Sequence, residues 1–159
     1  MITLIPTNDM QTVKAVATTP EIWERFSDAV SEADYEPTDT EREQWLLVCH
    51  GNHIVGLIYV YCITSVSLEI HPYLLKSHRK YGREMMRLFY DWYLSEVPGE
   101  HQKINAVIPC CFQSVINFAK KVGFKTEGVN RKSYFYQGQY FDQEYLGITR
   151  DEVCNVVIR

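Results

Sequence analysis

The sequence feature that most constrains the fold is a run of strand-forming residues broken by one tight turn. Trp45–His50 and His53–Tyr61 are rich in β-branched, aromatic and aliphatic residues, and Gly51-Asn52 separates them. Glycine and asparagine tolerate the positive φ angles that short hairpin turns require. The pattern therefore predicts a β-hairpin, and the domain must contain an antiparallel sheet.

The segments around this hairpin alternate between strand and helix patterns. A strand over the opening residues precedes two short helices, and an acidic surface loop or lid follows over residues 32–43. The second helix is predicted to start at a Thr19 cap and to bury Ile22, Trp23, Phe26 and Val30. The later elements are a strand over Ser65–His71 closed by Pro72, a helix over Tyr81–Val97, a strand over Lys103–Pro109, a helix over Phe112–Val122 capped by Gly123, and a hairpin of Lys125–Tyr136 and Gln139–Thr149.

This order of elements predicts an α/β domain with a mixed sheet covered by helices. The chain has 159 residues, a usual size for one domain, so we expect residues 1–159 to share one core. No apolar run approaches the roughly 20 residues of a membrane span. The first residues lack the basic start of a secretory signal, which predicts a cytoplasmic protein that does not act at a membrane.

Charge and cysteine usage narrow the classes of function. The formal net charge of −4 argues against a nucleic-acid partner and suits a cationic or neutral substrate better. The five cysteines show no Cys-x-x-Cys pair and no zinc-like spacing, so we expect buried free thiols and no metal site. A nucleophilic Cys110 or Cys111 stays an alternative, although nothing marks out a base for either.

The junction between the third predicted strand and the long helix suits a phosphate ligand. The strand Leu68–Pro72 leads through a short loop to Arg79–Glu84, which opens the helix. A helix start offers backbone N–H groups and the positive end of the helix dipole, and Gly82 lets phosphate approach the backbone. Lys80 and Arg83 lie beside this loop, either as phosphate contacts or as solvated charges.

Two segments resemble the hallmarks of the GNAT N-acyltransferase superfamily. Arg79 and Gly82 match its acetyl-CoA loop, Gln/Arg-x-x-Gly-x-Gly/Ala. Gly123-Phe124 followed by Glu127-Gly128 is similar to its second motif, a helix end that leads into a strand. The chain also looks somewhat like the divergent GNAT-like proteins of tailed bacteriophages, which would place it in the host cytoplasm. The resemblance implies a central mixed, mostly antiparallel sheet flanked by helices on both faces.

The resemblance also implies where acetyl-CoA would lie. A backbone N–H near Ile70 would polarise the thioester carbonyl, and Asn117 on the polar side of its helix is a candidate CoA contact. The pyrophosphate would lie on the loop made of Arg79, Lys80, Tyr81, Gly82, Arg83 and Glu84.

Glu69 and His71 are the candidates for proton transfer. Residues two apart in a strand share a face, so both side chains lie next to the expected thioester. An attacking amine must lose a proton, which either group can accept. The alternatives are a solvated or ion-paired carboxylate for Glu69 and a hydrogen-bonded strand-end imidazole for His71.

Three positions depart from the family pattern. Glu84 replaces the last small residue of the loop, where its charge would repel phosphate unless it faces solvent or pairs with Arg83 or Arg87. Phe112 and Ala119 stand where many active members have an asparagine and a tyrosine general acid. Four hairpin tyrosines could replace that acid or frame an acceptor pocket, or they simply form cross-strand pairs. These are Tyr134, Tyr136, Tyr140 and Tyr145.

Two functions therefore stay open. The first is an N-acetyltransferase that moves an acetyl group from acetyl-CoA to an amine by direct attack, the amine belonging to a small molecule or a protein. The second is a catalytically inactive GNAT-like scaffold or protein-binding module, in phage assembly or host interference. In either case the last hairpin offers an edge strand for a homodimer, by analogy of fold.

Overall fold

A computed structural model describes residues 1–26 and 30–158 of the chain. The strands are β1 Ile2–Thr7, β2 Glu43–His50, β3 His53–Thr64, β4 Ser67–Leu74, β5 Lys103–Pro109, β6 Lys125–Tyr136 and β7 Gln139–Thr149. The helices are α1 Met10–Ala17, α2 Pro20–Trp23, a 3₁₀ helix Lys76–Tyr81, α3 Gly82–Glu96, α4 Gln113–Lys121 and α5 Arg150–Asn155.

The seven strands form one sheet in the order β1-β2-β3-β4-β5-β7-β6. The pairs β1–β2, β2–β3, β5–β7 and β6–β7 are antiparallel, and β4 pairs with β5 in parallel over Ser67–Glu69. The predicted α/β fold with a mixed, mostly antiparallel sheet is confirmed. Within residues 1–26 and 30–158, no helix is long and apolar enough to cross a membrane.

The contacts of the chain group its residues into two compact units. The first unit is Met1–Tyr61 with Ile70–Phe89, and the second is Cys62–Glu69 with Tyr90–Arg159. In the first unit, α1 begins where the Asp9 carboxylate accepts hydrogen bonds from the backbone N–H groups of Gln11 and Thr12. Its buried face packs on the hairpin through Val13, Ala17, Trp45, Leu47, Cys49 and Leu57.

Glu84 connects the first strand to the start of α3. Its Oε1 atom accepts a hydrogen bond of 2.8 Å from the backbone N–H of Ile2, a residue only 2% exposed. A carboxylate in the first turn of a helix is also favoured by the helix dipole. The Glu84 carboxylate thus has a backbone partner that the sequence did not predict, and its repulsion of phosphate stays a prediction.

Replacing Glu84 by glutamine should lower the free energy of unfolding by about 1 kcal/mol, because the amide oxygen can still accept from the Ile2 N–H but the bond loses its charge and the helix start loses its anion. Chemical denaturation monitored by circular dichroism measures the change. Asp91→Asn, which neutralises an exposed carboxylate farther along α3, is the matched control and should change stability by less than about 0.5 kcal/mol. Equal effects of the two variants would contradict a specific role for Glu84.

In the second unit, Arg150 binds the C-terminal end of α3. Its guanidinium donates to the carbonyl oxygens of Leu94 and Val97, each at 3.1 Å, and to that of His101 at 3.2 Å. It also lies 4.8 Å from the centre of the Tyr93 ring. The last carbonyls of a helix have no partner within the helix, so Arg150 satisfies groups that would otherwise need water.

Arg150→Met should lower the free energy of unfolding by about 2 kcal/mol, since several buried or half-buried carbonyls lose their donor. Arg150→Lys should recover only part of the loss, because an ammonium cannot reproduce the planar fork of donors. Arg131→Met, at an exposed arginine of β6, is the control. Full recovery by lysine would show that charge alone accounts for the effect.

Several local predictions are wrong in their details. Thr19 occupies the N-cap of α2, but its side chain makes no capping hydrogen bond, and its hydroxyl lies 3.3 Å from the Ala15 carbonyl. Val30, predicted to be buried, is 47% exposed, and the intervening residues 27–29 lie outside the described part. Cys154 is exposed and Cys49 is buried, so the expectation of buried thiols fails for Cys154.

The third predicted strand continues beyond the proline that was expected to close it. The N–H of Leu75 donates to the Val55 carbonyl at 2.9 Å, which directs that side of the chain toward β3. Because N–H groups alternate in direction along a strand, the missing N–H of Pro72 belongs to the side facing away from β3. Pro72 therefore interrupts no hydrogen bond to β3, and β4 runs to Leu74.

Candidate active site

The segment between β4 and α3 is helical and not an open loop. The 3₁₀ helix Lys76–Tyr81 runs directly into α3, and the N–H of Gly82 donates to the Arg79 carbonyl. Gly82 has φ −55° and ψ −40°, values that any residue adopts in a helix. What glycine contributes here is the absence of a side chain at the start of α3.

The charges around this helix start are mainly positive. Arg79, Lys80 and Arg83 are exposed, while the Glu84 carboxylate is held by Ile2. The structure thus brings the predicted loop residues together within the first unit. The three exposed side chains are cationic and can attract a phosphate group.

An aromatic cluster lies next to these cations, and positive charges act on it as well. The ring of His50 lies 5.4 Å from that of His78 and 4.9 Å from that of Tyr81, between ring centres. Desolvation lowers the pKa of His50, and the positive charges of the N-terminal amine, His78 and Lys80 lower it further, against an opposing effect of Glu84.

The backbone of β4 contains the N–H group of Ile70, which is expected to polarise the thioester carbonyl. Ile70 is 4% exposed, and by the alternation described for Pro72 its N–H is directed away from β3. On the same side, the Leu68 carbonyl accepts a hydrogen bond of 2.9 Å from the side-chain amide of Asn105. Glu69 and His71 are half-buried, and their side chains share the face of β4 opposite to that of the Ile70 side chain, as predicted.

His71 lies in the wall of a cavity of about 230 Å³ in the first unit. Tyr59 stacks on His71 with ring centres 5.8 Å apart. Trp45 stacks on Tyr59 with ring centres 4.3 Å apart. The lining combines five aromatic side chains with carboxylates. These residues are Phe26, Tyr35, Trp45, Tyr59 and Tyr73, with Glu36 and Glu43.

Glu43 is the most highly hydrogen-bonded group of this cavity. Its carboxylate accepts from the Tyr59 hydroxyl at 2.8 Å, from Thr38 at 2.7 and 2.9 Å, and from the Thr40 hydroxyl at 2.8 Å. Burial alone would raise its pKa, but the hydrogen bonds from Thr38, Thr40 and Tyr59 outweigh burial and hold the pKa below its ordinary value of 4.5. Glu43 is therefore a fixed negative charge at neutral pH, and it binds the segment 38–43 to β3.

The lowered pKa of Glu43 makes a testable contribution to acid stability. A carboxylate whose pKa is depressed by folding stabilises the protein above its unfolded pKa, and this stabilisation is lost as pH falls through the folded value. The difference in unfolding free energy between the native chain and Glu43→Gln should be largest above about pH 5 and should shrink toward pH 3. Urea denaturation across this range measures it.

Glu41→Gln serves as the control for this titration, since Glu41 is an exposed carboxylate of the same segment. Its difference from the native chain should stay small at every pH. A Glu43→Gln difference that does not change with pH would contradict the assignment of the ionised carboxylate as the hydrogen-bond acceptor.

The sequence prediction missed this cavity because a β-bulge positions its walls. His50 pairs with His53, and an uninterrupted hairpin would set Trp45 opposite Ile58. The register shifts between Val48 and Cys49, so that Trp45 pairs with Tyr59. A shift of one residue exchanges the faces of a strand, and here it brings two aromatic rings to the same face.

The candidate residues of the second unit have other surroundings. Asn117 is exposed on α4 and accepts a hydrogen bond of 3.2 Å from the Gln113 side chain. Ala119 is 7% exposed, and its methyl group cannot donate a proton. Burial, with Asp142 and Glu144 nearby, raises the pKa of Cys110, so its thiol is a poorer nucleophile than an ordinary cysteine.

The hairpin tyrosines pack on each other and on Phe112. The Phe112 ring lies 5.2 Å from that of Tyr136 and 6.2 Å from that of Tyr134. Tyr140 is 70% exposed and lies 5.1 Å from Phe135, its partner across the hairpin. The contact of Tyr140 with Phe135 is a cross-strand pair, whereas Tyr134 and Tyr136 lie on one strand and pack beside Phe112 at the start of α4.

Comparison with known proteins finds similarity to N-acetyltransferases. No protein-family model matches the chain. In sequence it is similar to the SPbeta prophage-derived uncharacterized N-acetyltransferase YokL of Bacillus subtilis (strain 168), with 27% identity over 121 residues, covering 74% of this chain and 67% of the relative. In structure it is similar to spermidine N-acetyltransferase from Vibrio cholerae in complex with CoA and spermine, with a TM-score of 0.76 and 16% identity, covering 97% of this chain and 98% of that chain.

A structure of the spermidine/spermine N-acetyltransferase of Vibrio cholerae in complex with manganese ions is similar to a comparable degree, with a TM-score of 0.75, 14% identity and coverage of 97% and 95%. At these identities the structural likeness establishes the fold, which is the GNAT fold, and the resemblance predicted from the sequence is confirmed. The prophage relative also supports the resemblance to phage-encoded members. Together the relatives support a GNAT-type N-acetyltransferase.

Proposed function

We propose that the protein is an acetyl-CoA-dependent N-acetyltransferase that transfers the acetyl group directly to an amine. The observation that carries the proposal is the placement of His71, a candidate base on β4, in the wall of an aromatic cavity that contains the ionised Glu43. A base beside a cavity suited to a cation is what amine acetylation requires.

The residues at the start of α3 fit the phosphates of CoA. Arg79, Lys80 and Arg83 supply exposed positive charge, and the Ile2 N–H holds the carboxylate of Glu84, the one acidic residue of the motif. The Ile70 N–H is the donor proposed for the thioester carbonyl, as an oxyanion-stabilising group. Acetyl-CoA, when bound, supplies the activated acyl group, and the chain supplies position and charge.

In the proposed reaction the amine nitrogen forms a bond to the carbonyl carbon, and the bond from that carbon to sulfur breaks. The ammonium proton leaves first, to His71 or through Glu69, because a protonated amine has no lone pair for attack. The Ile70 N–H stabilises the negative charge on the carbonyl oxygen during attack. The products are the acetylated amine and the thiol of CoA, which takes up a proton.

The decisive measurement is calorimetric titration of the whole chain with acetyl-CoA. We expect saturable binding, and a loss of at least about tenfold in affinity for Gly82→Asp, because a carboxylate at the helix start repels the pyrophosphate. Gly99→Asp is the matched control, since nothing lies within 4 Å of a side chain added at Gly99. Its affinity for acetyl-CoA should equal that of the native chain.

The alternative function is the inactive scaffold, and the same titration separates the two. Phe112 and Ala119 favour a scaffold, because they are apolar residues at the positions where many active family members have an asparagine and a tyrosine acid. Glu84 also favours a scaffold, because the hydrogen bond from the Ile2 N–H orients its carboxylate but leaves a negative charge at the cofactor loop. Absence of heat with folded protein at millimolar acetyl-CoA would reject the enzyme and favour the scaffold.

A further inference from the structure

We propose that the cavity beside His71 is the acceptor site and that it selects a compact monoamine, one ammonium group on a short apolar body. This inference rests on the proposed acetyltransferase function and adds the class of its substrate. The cavity is defined by the aromatic walls Phe26, Tyr35, Trp45, Tyr59 and Tyr73 around His71.

The cavity attracts a cation. Aromatic faces attract ammonium groups, more strongly where water is excluded. The segment that borders the cavity, residues 32–43, contains six carboxylates and one arginine. The carboxylates are Glu32, Asp34, Glu36, Asp39, Glu41 and Glu43. A cation approaching this rim therefore moves toward negative charge.

The carboxylates in the cavity wall already have partners, which favours a ligand with one charge. Glu36 forms an ion pair with Lys14, and the oxygens of Glu43 already accept hydrogen bonds from Thr38, Thr40 and Tyr59. Inside the cavity, a second ammonium group would have to compete with Lys14 for Glu36 and with these hydroxyl groups for Glu43. A polyamine would have to displace these contacts, whereas a monoamine needs only the aromatic faces and the fixed field of Glu43.

The size of the cavity also favours a small ligand, since its volume is about 230 Å³. This volume lies below the roughly 300 to 1,000 Å³ of sites for drug-sized ligands. It accommodates an alkyl or aryl body of a few carbons, with the nitrogen at His71 for deprotonation.

The test compares three ligands by calorimetry on the unaltered protein at neutral pH and moderate salt. The ligands are 2-phenylethylamine, its neutral counterpart 2-phenylethanol, and spermidine. We expect 2-phenylethylamine to bind at least about tenfold more tightly than each of the other two. Equal or tighter binding of spermidine, no preference for the amine over the alcohol, or no binding of the amine at all would overturn the inference.

A variant pair locates the binding. Tyr35→Ala should weaken 2-phenylethylamine about tenfold, because an aromatic wall of the cavity is lost, and should leave the affinity for acetyl-CoA unchanged. Tyr140→Ala, at a tyrosine 70% exposed in the last hairpin, is the matched control and should bind the amine as the native chain does. Near-ultraviolet circular dichroism verifies that both variants are folded, and an unchanged affinity in folded Tyr35→Ala would also overturn the inference.

Failure of this inference is distinguishable from failure of the proposed function. Acetyl-CoA binding and acetylation of other amines, with no preference for 2-phenylethylamine, would refute the substrate class alone. Selective amine binding by a protein that does not bind acetyl-CoA would refute the acetyltransferase and keep the cavity as an amine site.

Discussion

The hydrogen bond from the Ile2 N–H to Glu84 is the interaction on which the proposed cofactor site depends. It joins residues 82 positions apart, at 2.8 Å, and it fixes the edge strand β1 to the first turn of α3. A buried N–H in an edge strand needs an acceptor, and a helix start favours a carboxylate. One side chain satisfies both requirements, and the same contact leaves Arg79, Lys80 and Arg83 as the exposed charges at this point.

The proposed acceptor cavity depends on a different constraint, the bulge in the β2–β3 pairing, where Val55 is the extra residue of β3. Without the shift at Val48 and Cys49, Trp45 and Tyr59 would lie on opposite faces of the hairpin. With it they stack at 4.3 Å, Tyr59 reaches Glu43 through its hydroxyl, and His71 stacks on Tyr59. A single extra residue in one strand thus assembles the aromatic, acidic and basic groups of the cavity.

These two interactions explain how far the sequence could predict the molecule. Both hairpins followed from local chemistry, since Gly51, Gln137 and Gly138 adopt the positive φ angles that their turns require. The last helix, α5, was missed although its signal is local, for Thr149 and Glu152 form a capping box. The partner of Glu84 and the register of Trp45 could not be predicted, because both are set by tertiary contacts and not by residues nearby in the chain.

The apolar positions in the second unit bear on which proton transfer matters. In the proposed reaction, an amine with a pKa near 10 is protonated at neutral pH. Its pKa lies about three units above the pH, so loss of the proton costs about 4 kcal/mol. Alkyl thiols are stronger acids than alkylammonium groups, with a pKa of about 8.5 for cysteine against about 10.4 for lysine, so the departing thiolate has less need of a protonating group. Ala119 in place of a tyrosine acid therefore affects the less demanding of the two transfers, while the proposed mechanism assigns the more demanding one to His71 and Glu69 of β4.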